Sequence, residues 1–370
     1  MRVTMTIVCV ELPSQDSSGE GARDNVPFDL AAMMTWAETA GLVRREDWTL
    51  LDQNTADYGG DAAVTGAVVA TQAPVVIFRL LDYNLERSLW LAKRLRSLMP
   101  ATHFVACGPE VTRDSLLQKS HAFDALIEGE PETALAGVLA DTATRSLKPW
   151  YRGEPVDAAT MPDPYLSGAL TMHPRKPVIL RTSRGVDRLP SFASPHARGA
   201  PGQRFMHRDR GPKVLRMASD AGVAEAMFVD DRLDTHPEFA GYVKMLAAAN
   251  ESGVGLRARI DPARIDDDTA RLMADAAFME AGGWLGSTNA RAQEAAGMSL
   301  DRDAFERGAR LLWNTGIMVR PSVIIGLPFD DYDAGIETFD FLGMAGIGKD
   351  AEPTQHSLAP RSAIGLPPAS

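Results

Sequence analysis

The chain has 370 residues, of which 45% are hydrophobic and 24% charged, and its formal net charge is -11 at pH 7. That length allows two domains with cores of their own, and that acidity excludes a general nucleic-acid binder, which needs a basic face to displace counterions. The two cysteines, Cys9 and Cys107, lie inside apolar strand-like runs; they read as small buried residues and are too few to hold an iron–sulfur cluster.

The N-terminal "MRVTMTIVCVELP" is short, β-branched and followed by a polar loop, which makes it a strand rather than a signal peptide. No run reaches the roughly 20 apolar residues of a membrane span, so a cytoplasmic protein is expected. Through residues 1–143, short apolar runs alternate with helical patterns. The runs are "VTMTIVCVEL", "WTLLDQN", "PVVIFRLLD", "THFVACG" and "DALIEGE". In "LERSLWLAKRLRSLM" the residues Leu85, Leu89, Ala92 and Leu95 share one face at helical spacing. This alternation predicts an α/β domain with a parallel sheet covered on both faces, flavodoxin-like (Rossmann-like) and doubly wound. Ligands of such a sheet lie at the carboxyl ends of its strands.

Those ends carry "ELPSQDSSGEG", "RLLDYNLE", "CGPEVT" and "EGEPE". Gly108 and Gly129 let backbone come close to a ligand, and Glu110, Glu128, Glu130 and Glu132 place polar groups at the same edge. The alternative is that Gly-Pro and Gly-Glu make ordinary turns, with the carboxylates favouring helix N-termini. Residues 144–176, with "PWYRGEPVDAATMPDPY", have no period and many prolines, which predicts an extended linker.

The third segment, residues 177–370, alternates again at longer spacing. Its strand candidates are "PVILRTS", "EAMFVDD", "GLRARID", "WLGSTN", "VRPSVIIGLP" and "TQHSLAP". Helices are expected over "DDDTARLMADAA", with carboxylates in its first turn, and over "SLDRDAFERGARLLWNTG", with a Ser start and Gly316 as stop. Six such units predict a partial (β/α)6 TIM-type barrel whose working residues sit at the carboxyl ends of its strands. Asp230, Asp231, Arg257, Arg259 and His356 are the polar choices there, while the loop histidines His196 and His207 read as solvent-facing or hydrogen-bonded rather than as metal ligands.

Taken in order, these segments resemble the cobalamin-dependent radical S-adenosylmethionine (SAM) family across residues 3 to 365. "VVIFRLLDYNLERSLWLAKRLRSLMPATHFVACGPEVT" is similar to that family's cobalamin-binding segment, "ALIEGEPETAL" to the one that follows it, "DAATMPDPYL" to its linker and "RTSRG" to its barrel entry. The resemblance implies a corrinoid over the strand ends of the first domain, facing the barrel mouth. Its contacts would come from Leu80, Leu81, Asp82, Tyr83 and Asn84, from Cys107, Gly108, Pro109, Glu110, Val111 and Thr112, and from Glu128, Gly129 and Glu130. Tyr83 and Asn84 stand foremost, with an ordinary strand-end aromatic as the other reading of Tyr83. No Asp-x-His-x-x-Gly segment is present, which implies no protein histidine on cobalt.

The chain departs from that family at the cluster loop. Where the family has CxxxCxxC, "ILRTSRGVDRLPSFASP" has Val186, Pro190 and Ala193, so a degenerate member without an iron–sulfur cluster is expected. "FVDDRL" and "SVIIGLP" match places where relatives contact SAM; Asp230 and Asp231 either hold an ammonium group or cap the following turn. Where relatives carry Gly-x-Glu-Ser, the chain has Gly286-Ser287-Thr288-Asn289, with Thr288 in place of the acid. SAM therefore remains a possible second ligand beside cobalamin. The resemblance implies a pseudoenzyme-like auxiliary subunit partnering an intact cobalamin-dependent radical SAM protein. The alternatives are an enzyme that uses cobalamin without a cluster, such as one making a polar methyl transfer to a small molecule, and a scaffold that binds no cofactor. Neither nucleic acid nor membrane is an expected partner.

Overall fold

A computed structural model of the chain describes residues 5–14, 23–112, 117–185, 202–324, 326–345 and 352–354. The chain divides into two compact units, Met1–Pro177 and Val178–Ser370. Both are α/β, and each is built on a six-stranded parallel sheet.

The elements of the first unit run β1 (Ile7–Val10), α1 (Phe28–Thr39), β2 (Trp48–Leu50), α2 (Gln53–Tyr58), α3 (Gly60–Ala70), β3 (Val75–Arg79), α4 (Leu85–Leu98), β4 (His103–Cys107), α5 (Leu117–Ser120), β5 (Ala125–Gly129), α6 (Pro131–Ala143) and β6 (Trp150–Gly153). The strand order is β2-β1-β3-β4-β5-β6. The central stretches of the strands are apolar because both faces of the sheet are covered. One face packs Ile7, Cys9, Ile77, Val105 and Ile127 against α1 and α6. The other packs Val8, Val10, Phe78, Phe104 and Leu126 with Leu91, Ala92 and Leu95 of α4. Burying each large side chain contributes about 1.5–3 kcal/mol. In α4 the buried stripe is Ser88, Leu91, Ala92 and Leu95. Leu85 and Leu89 are half-buried, so the seam is rotated from the expected one.

The segment 144–176 is more than a connector. It contributes β6, which pairs in parallel with β5 from Leu126↔Trp150 to Gly129↔Gly153. Its end is fastened to the same unit, where the Lys176 ammonium donates to the Asn25 carbonyl at 2.9 Å and pairs with Asp57, whose side chain is 0% exposed.

The second unit begins with β7 (Val178–Leu180), β8 (Ser183–Arg184) and β9 (Arg204–Phe205), the last two forming an antiparallel pair. It continues with α7 (Arg210–Asp220), β10 (Glu225–Phe228), α8 (Phe239–Ala249), β11 (Gly255–Arg259), α9 (Asp267–Asp275), β12 (Phe278–Gly286), α10 (Ala290–Ala295), α11 (Arg302–Asn314), β13 (Met318–Ile324), α12 (Tyr332–Met344) and β14 (Glu352–Thr354). The main sheet follows chain order, β7-β10-β11-β12-β13-β14. β12 begins well before the expected "WLGSTN". Only Thr354 of "TQHSLAP" falls in β14; the rest, including His356, lies outside the described residues. α11 is capped by Asp301, which accepts from the Ala304 amide at 3.0 Å, rather than by the upstream serine. Among the described residues no helix is long and apolar enough to cross a membrane.

Candidate functional site

In the first sheet β1 is followed by β2 on one side and by β3 on the other. The strand order therefore reverses between β1 and β3, which is where open α/β sheets hold ligands. Glu11 follows β1 and Arg79 ends β3. The Arg79 guanidinium donates to Glu11 Oε1 at 3.0 Å and also to an Asp29 oxygen in the first turn of α1. Burial opposes the Arg79 charge, but the two carboxylates overcome that and raise its pKa further. The sequence reading missed this trio, although charged residues ending apolar strands were a visible signal.

The residues expected around a corrinoid separate into two groups. Leu80, Cys107 and Val111 are buried in the core. Asn84 is also fully buried: its Oδ1 accepts from the Leu81 amide at 2.9 Å, while its Nδ2 donates to the Leu12 carbonyl at 3.0 Å and the Arg79 carbonyl at 3.3 Å. Its amide thus holds the β1 and β3 loops together. Tyr83 and Asp82 are exposed, as is Gly129, and Leu81, Gly108, Pro109, Glu110, Thr112, Glu128 and Glu130 are half-buried. Glu130 Oε2 accepts from the Val156 amide at 2.7 Å. Burial, and after it Asp82, pushes the Glu110 carboxyl up.

The glycines at this edge answer to the protein itself. Gly108 and Gly129 have φ of +110° and +84°, and a Cβ would lie 2.5 Å from the Leu80 carbonyl oxygen or 2.3 Å from that of Gly153. Ordinary tight turns account for both positions. Burial pushes the Cys107 thiol up to about 12, with Arg79 opposing, and both cysteines are buried and free, as the sequence indicated.

In the second unit, Asp230 is buried just beyond β10 and reaches back to the β7 end. It accepts from the Thr182 amide at 2.9 and 3.1 Å, from the Thr182 hydroxyl at 3.0 Å and from the Ser183 hydroxyl at 2.6 Å. It therefore joins two strand ends instead of capping the turn that follows it. Burial raises its pKa, and the Ser183 hydroxyl leads the opposing interactions. Asp231 is half-buried. Thr288 bonds through its amide and hydroxyl to the Thr338 hydroxyl at 3.0 and 2.9 Å. His207 is exposed, with Asp209 at 3.7 Å. His196 and the cluster-loop positions Val186, Pro190 and Ala193 lie outside the described residues. Among those described, no group of three or more His, Cys, Asp or Glu could hold a metal ion.

Arg257 and Arg259 belong to a larger arrangement. Burial alternates along β10, β11 and β13: Ala226, Phe228, Leu256, Ala258, Val319 and Val323 are buried, while Glu225, Met227, Arg257, Arg320 and Ser322 are half-buried and Arg259 is exposed. Alternation of this kind divides a strand between two faces. A register irregularity between Leu256 and Arg257 brings Glu280 opposite Arg257, and at the next level Arg259, Gly282 and Arg320 are in register. Arg257 Nη2 lies 3.4 Å from Glu225 Oε2, and Arg320 Nη2 lies 3.6 Å from Glu280 Oε2. Sequence reasoning missed Glu225, Glu280, Gly282 and Arg320, because only register brings them together.

No protein-family model and no curated protein matches the chain. Solved structures do. TsrM from Kitasatospora setae, a radical S-adenosylmethionine methyltransferase with cobalamin and a [4Fe-4S] cluster bound, aligns with a TM-score of 0.74 at 13% identity, over 98% of this chain and 77% of that one. The same enzyme with tryptophan substrate and a SAM analogue aligns at 0.71 and 13%, over 92% and 71%. OxsB, a cobalamin-dependent S-adenosylmethionine radical enzyme with aqua-cobalamin and S-adenosylmethionine bound, aligns at 0.71 and 13%, over 91% of this chain and 52% of its own, so the chain spans about half of OxsB. At this identity the likeness is one of fold.

Proposed function

We propose that this chain is a cobalamin-binding, cluster-free relative of the cobalamin-dependent radical SAM methyltransferases, with a Rossmann-like first domain and a partial barrel as its second. The observation that carries the reading is the first sheet's edge, where the β3, β4 and β5 loops present Tyr83, 47% exposed, together with Asp82, Gly108–Glu110 and Gly129. These residues suit a broad ligand lying across strand ends. Of the first unit's three histidines, His103 starts β4 and His121 precedes β5, which puts those two at the opposite edge. A bound cobalamin would supply a transferable methyl group, with Tyr83, Glu110 and Thr112 holding its rim.

With Val186, Pro190 and Ala193 at the cluster positions and the only two thiols in β1 and β4, the chain lacks ligands for a cluster. An auxiliary subunit of an intact family member follows from that loss. The second reading, an enzyme that transfers a methyl group by polar chemistry and has SAM as a possible further ligand, is favoured by the charged face of the second sheet.

The test is purification from cells supplied with cobalamin, then gel filtration and a visible spectrum. Retained corrinoid with no imidazole on cobalt is expected, and Tyr83→Ala should weaken retention several-fold without changing stability. Loss of the corrinoid on the column would overturn the reading. Reconstitution with iron and sulfide should yield no cluster. Mixing with an intact family member separates the two forms: the auxiliary subunit raises that enzyme's turnover, whereas the enzyme turns over alone with methylcobalamin.

A further inference from the structure

Helix α12 of the second unit is apolar on two sides. Ala334, Thr338, Phe341 and Leu342 are buried. Tyr332, Ile336 and Phe339 are instead 80%, 45% and 39% exposed, and with Gly343 they recur at i, i+4, i+7 and i+11, a second stripe at helical spacing. A Cβ at Gly335 or Gly343 would meet nothing within 4 Å, so the described residues leave this stripe open. A groove of about 610 Å³ continues it past Phe339, Asp340, Gly343 and Met344. Single exposed apolar residues need no explanation, but a row of them marks a surface that something covers.

Position is the first indication of what that is. α11 meets α12 through Phe305 and Phe341, 6.1 Å between ring centroids, and through Arg302 and Glu337 at 2.7 Å. Glu337 and Phe341 lie more than about a third of a turn from the stripe, which therefore leans away from α11. α11 and α12 are successive crossovers between neighbouring parallel strands, and such crossovers keep one hand. The open flank is thus the one that faces whatever follows β14. Thr354 pairs with Ile324, the last residue of β13, so the chain leaves β14 at the level where β13 leads into α12. α12 has 13 residues, about 20 Å at 1.5 Å per residue, and roughly seven extended residues span that length.

Charge and composition are the second indication. From Asp331 to Met344 the chain carries Asp331, Asp333, Glu337 and Asp340 and no Lys or Arg. Residues 355–370 reverse this: they contain no acid, Arg361 as their one Lys or Arg, and Leu358, Ile364 and Leu366 as large apolar residues. Pro360, Pro367 and Pro368 suit an extended segment laid along a helix.

We propose that the α12 stripe is the docking site of this chain's own residues 355–370, with Leu358, Ile364 and Leu366 covering Tyr332, Ile336 and Phe339 while Arg361 meets the acids beside them. Docking also shields β14, an edge strand of its sheet, from pairing with other chains. The inference goes beyond the cofactor readings above and does not depend on them.

The test is limited trypsin digestion of the full chain. Arg361 is the only Lys or Arg in 355–370, so cleavage there releases residues 362–370, whose initial rate of appearance mass spectrometry follows. Uncovering one large apolar side chain shifts such an open–closed equilibrium about tenfold or more, so Ile336→Asp should speed cleavage at Arg361 by about that factor. Trp313→Asp, at an exposed position of α11, should leave the rate within about twofold of the parent. If Ile336→Asp does not fold, Phe339→Ser takes its place. A parent cleaved within about twofold of the rate of Ile336→Asp would overturn the proposal. So would protection that is lost on dilution together with a dimer on gel filtration, since a second copy would then occupy the stripe.

Discussion

In the first unit one guanidinium, Arg79, is clamped between the carboxylates of Glu11 and Asp29, whereas on the second sheet Arg257 lies beside Glu225 and Arg320 beside Glu280. The first arrangement has a 3.0 Å contact to Glu11 and a second carboxylate, Asp29, on the same guanidinium. The second has separations of 3.4 and 3.6 Å. The residue types are the same, so distance makes one a tight clamp and the other a set of looser pairs.

Arg79→Met should break that contrast most visibly. It leaves Glu11, 3% exposed at the side chain, without its buried counter-charge, and loss of one partner from such a pair costs about 3–5 kcal/mol. Arg259→Gln should stay within about 0.5 kcal/mol. Urea denaturation measures both, and equal costs would erase the distinction. The glycines sharpen it next. A Cβ at Gly153 would fall 1.8 Å from the Glu130 carbonyl oxygen, so Gly153→Ala should cost about 1–3 kcal/mol, while Gly282→Ala, with its nearest neighbour at 3.5 Å, leaves the thermal midpoint in place.

Two pH effects are smaller. Burial raises the folded Asp230 pKa above the ordinary 3.8, so the folded chain binds this proton more tightly than the unfolded one. The stability it contributes is complete below 3.8 and is lost as pH rises through the folded value. Asp230→Asn should flatten that decline in a series of denaturation curves. His236 runs the other way. Burial, chiefly, lowers its pKa from 6.5 as it stacks on Tyr242 at 4.8 Å between centroids. Its contribution is present above 6.5 and is lost as pH falls through the folded value, a loss that His236→Gln should remove.

The first sheet was legible in five of its strands because runs such as Val75–Phe78 are buried on both faces and carry no polar interruption. β6 escaped notice because "WYRG" is short, polar at Arg152 and follows Pro149, which mimics a linker. At the candidate sites, the strand-end loops could be read but not the direction of each side chain. Asn84 looked like a ligand contact, yet its amide fits a buried gap between two loops. Gly282 was invisible for another reason: its neighbours Arg259 and Arg320 are distant in sequence and meet only through parallel register, after an irregularity beside Arg257.

The fastening of Lys176 to Asp57 and Asn25 determines where this polypeptide can be divided. A fragment ending at residue 143 would lose β6 and strip a carboxylate with a 0% exposed side chain of its only described cation. A fragment ending at Pro177 keeps both. The seam between autonomous pieces therefore lies immediately beyond this lysine, and a protease nick within 144–176 should release no free-standing lobe.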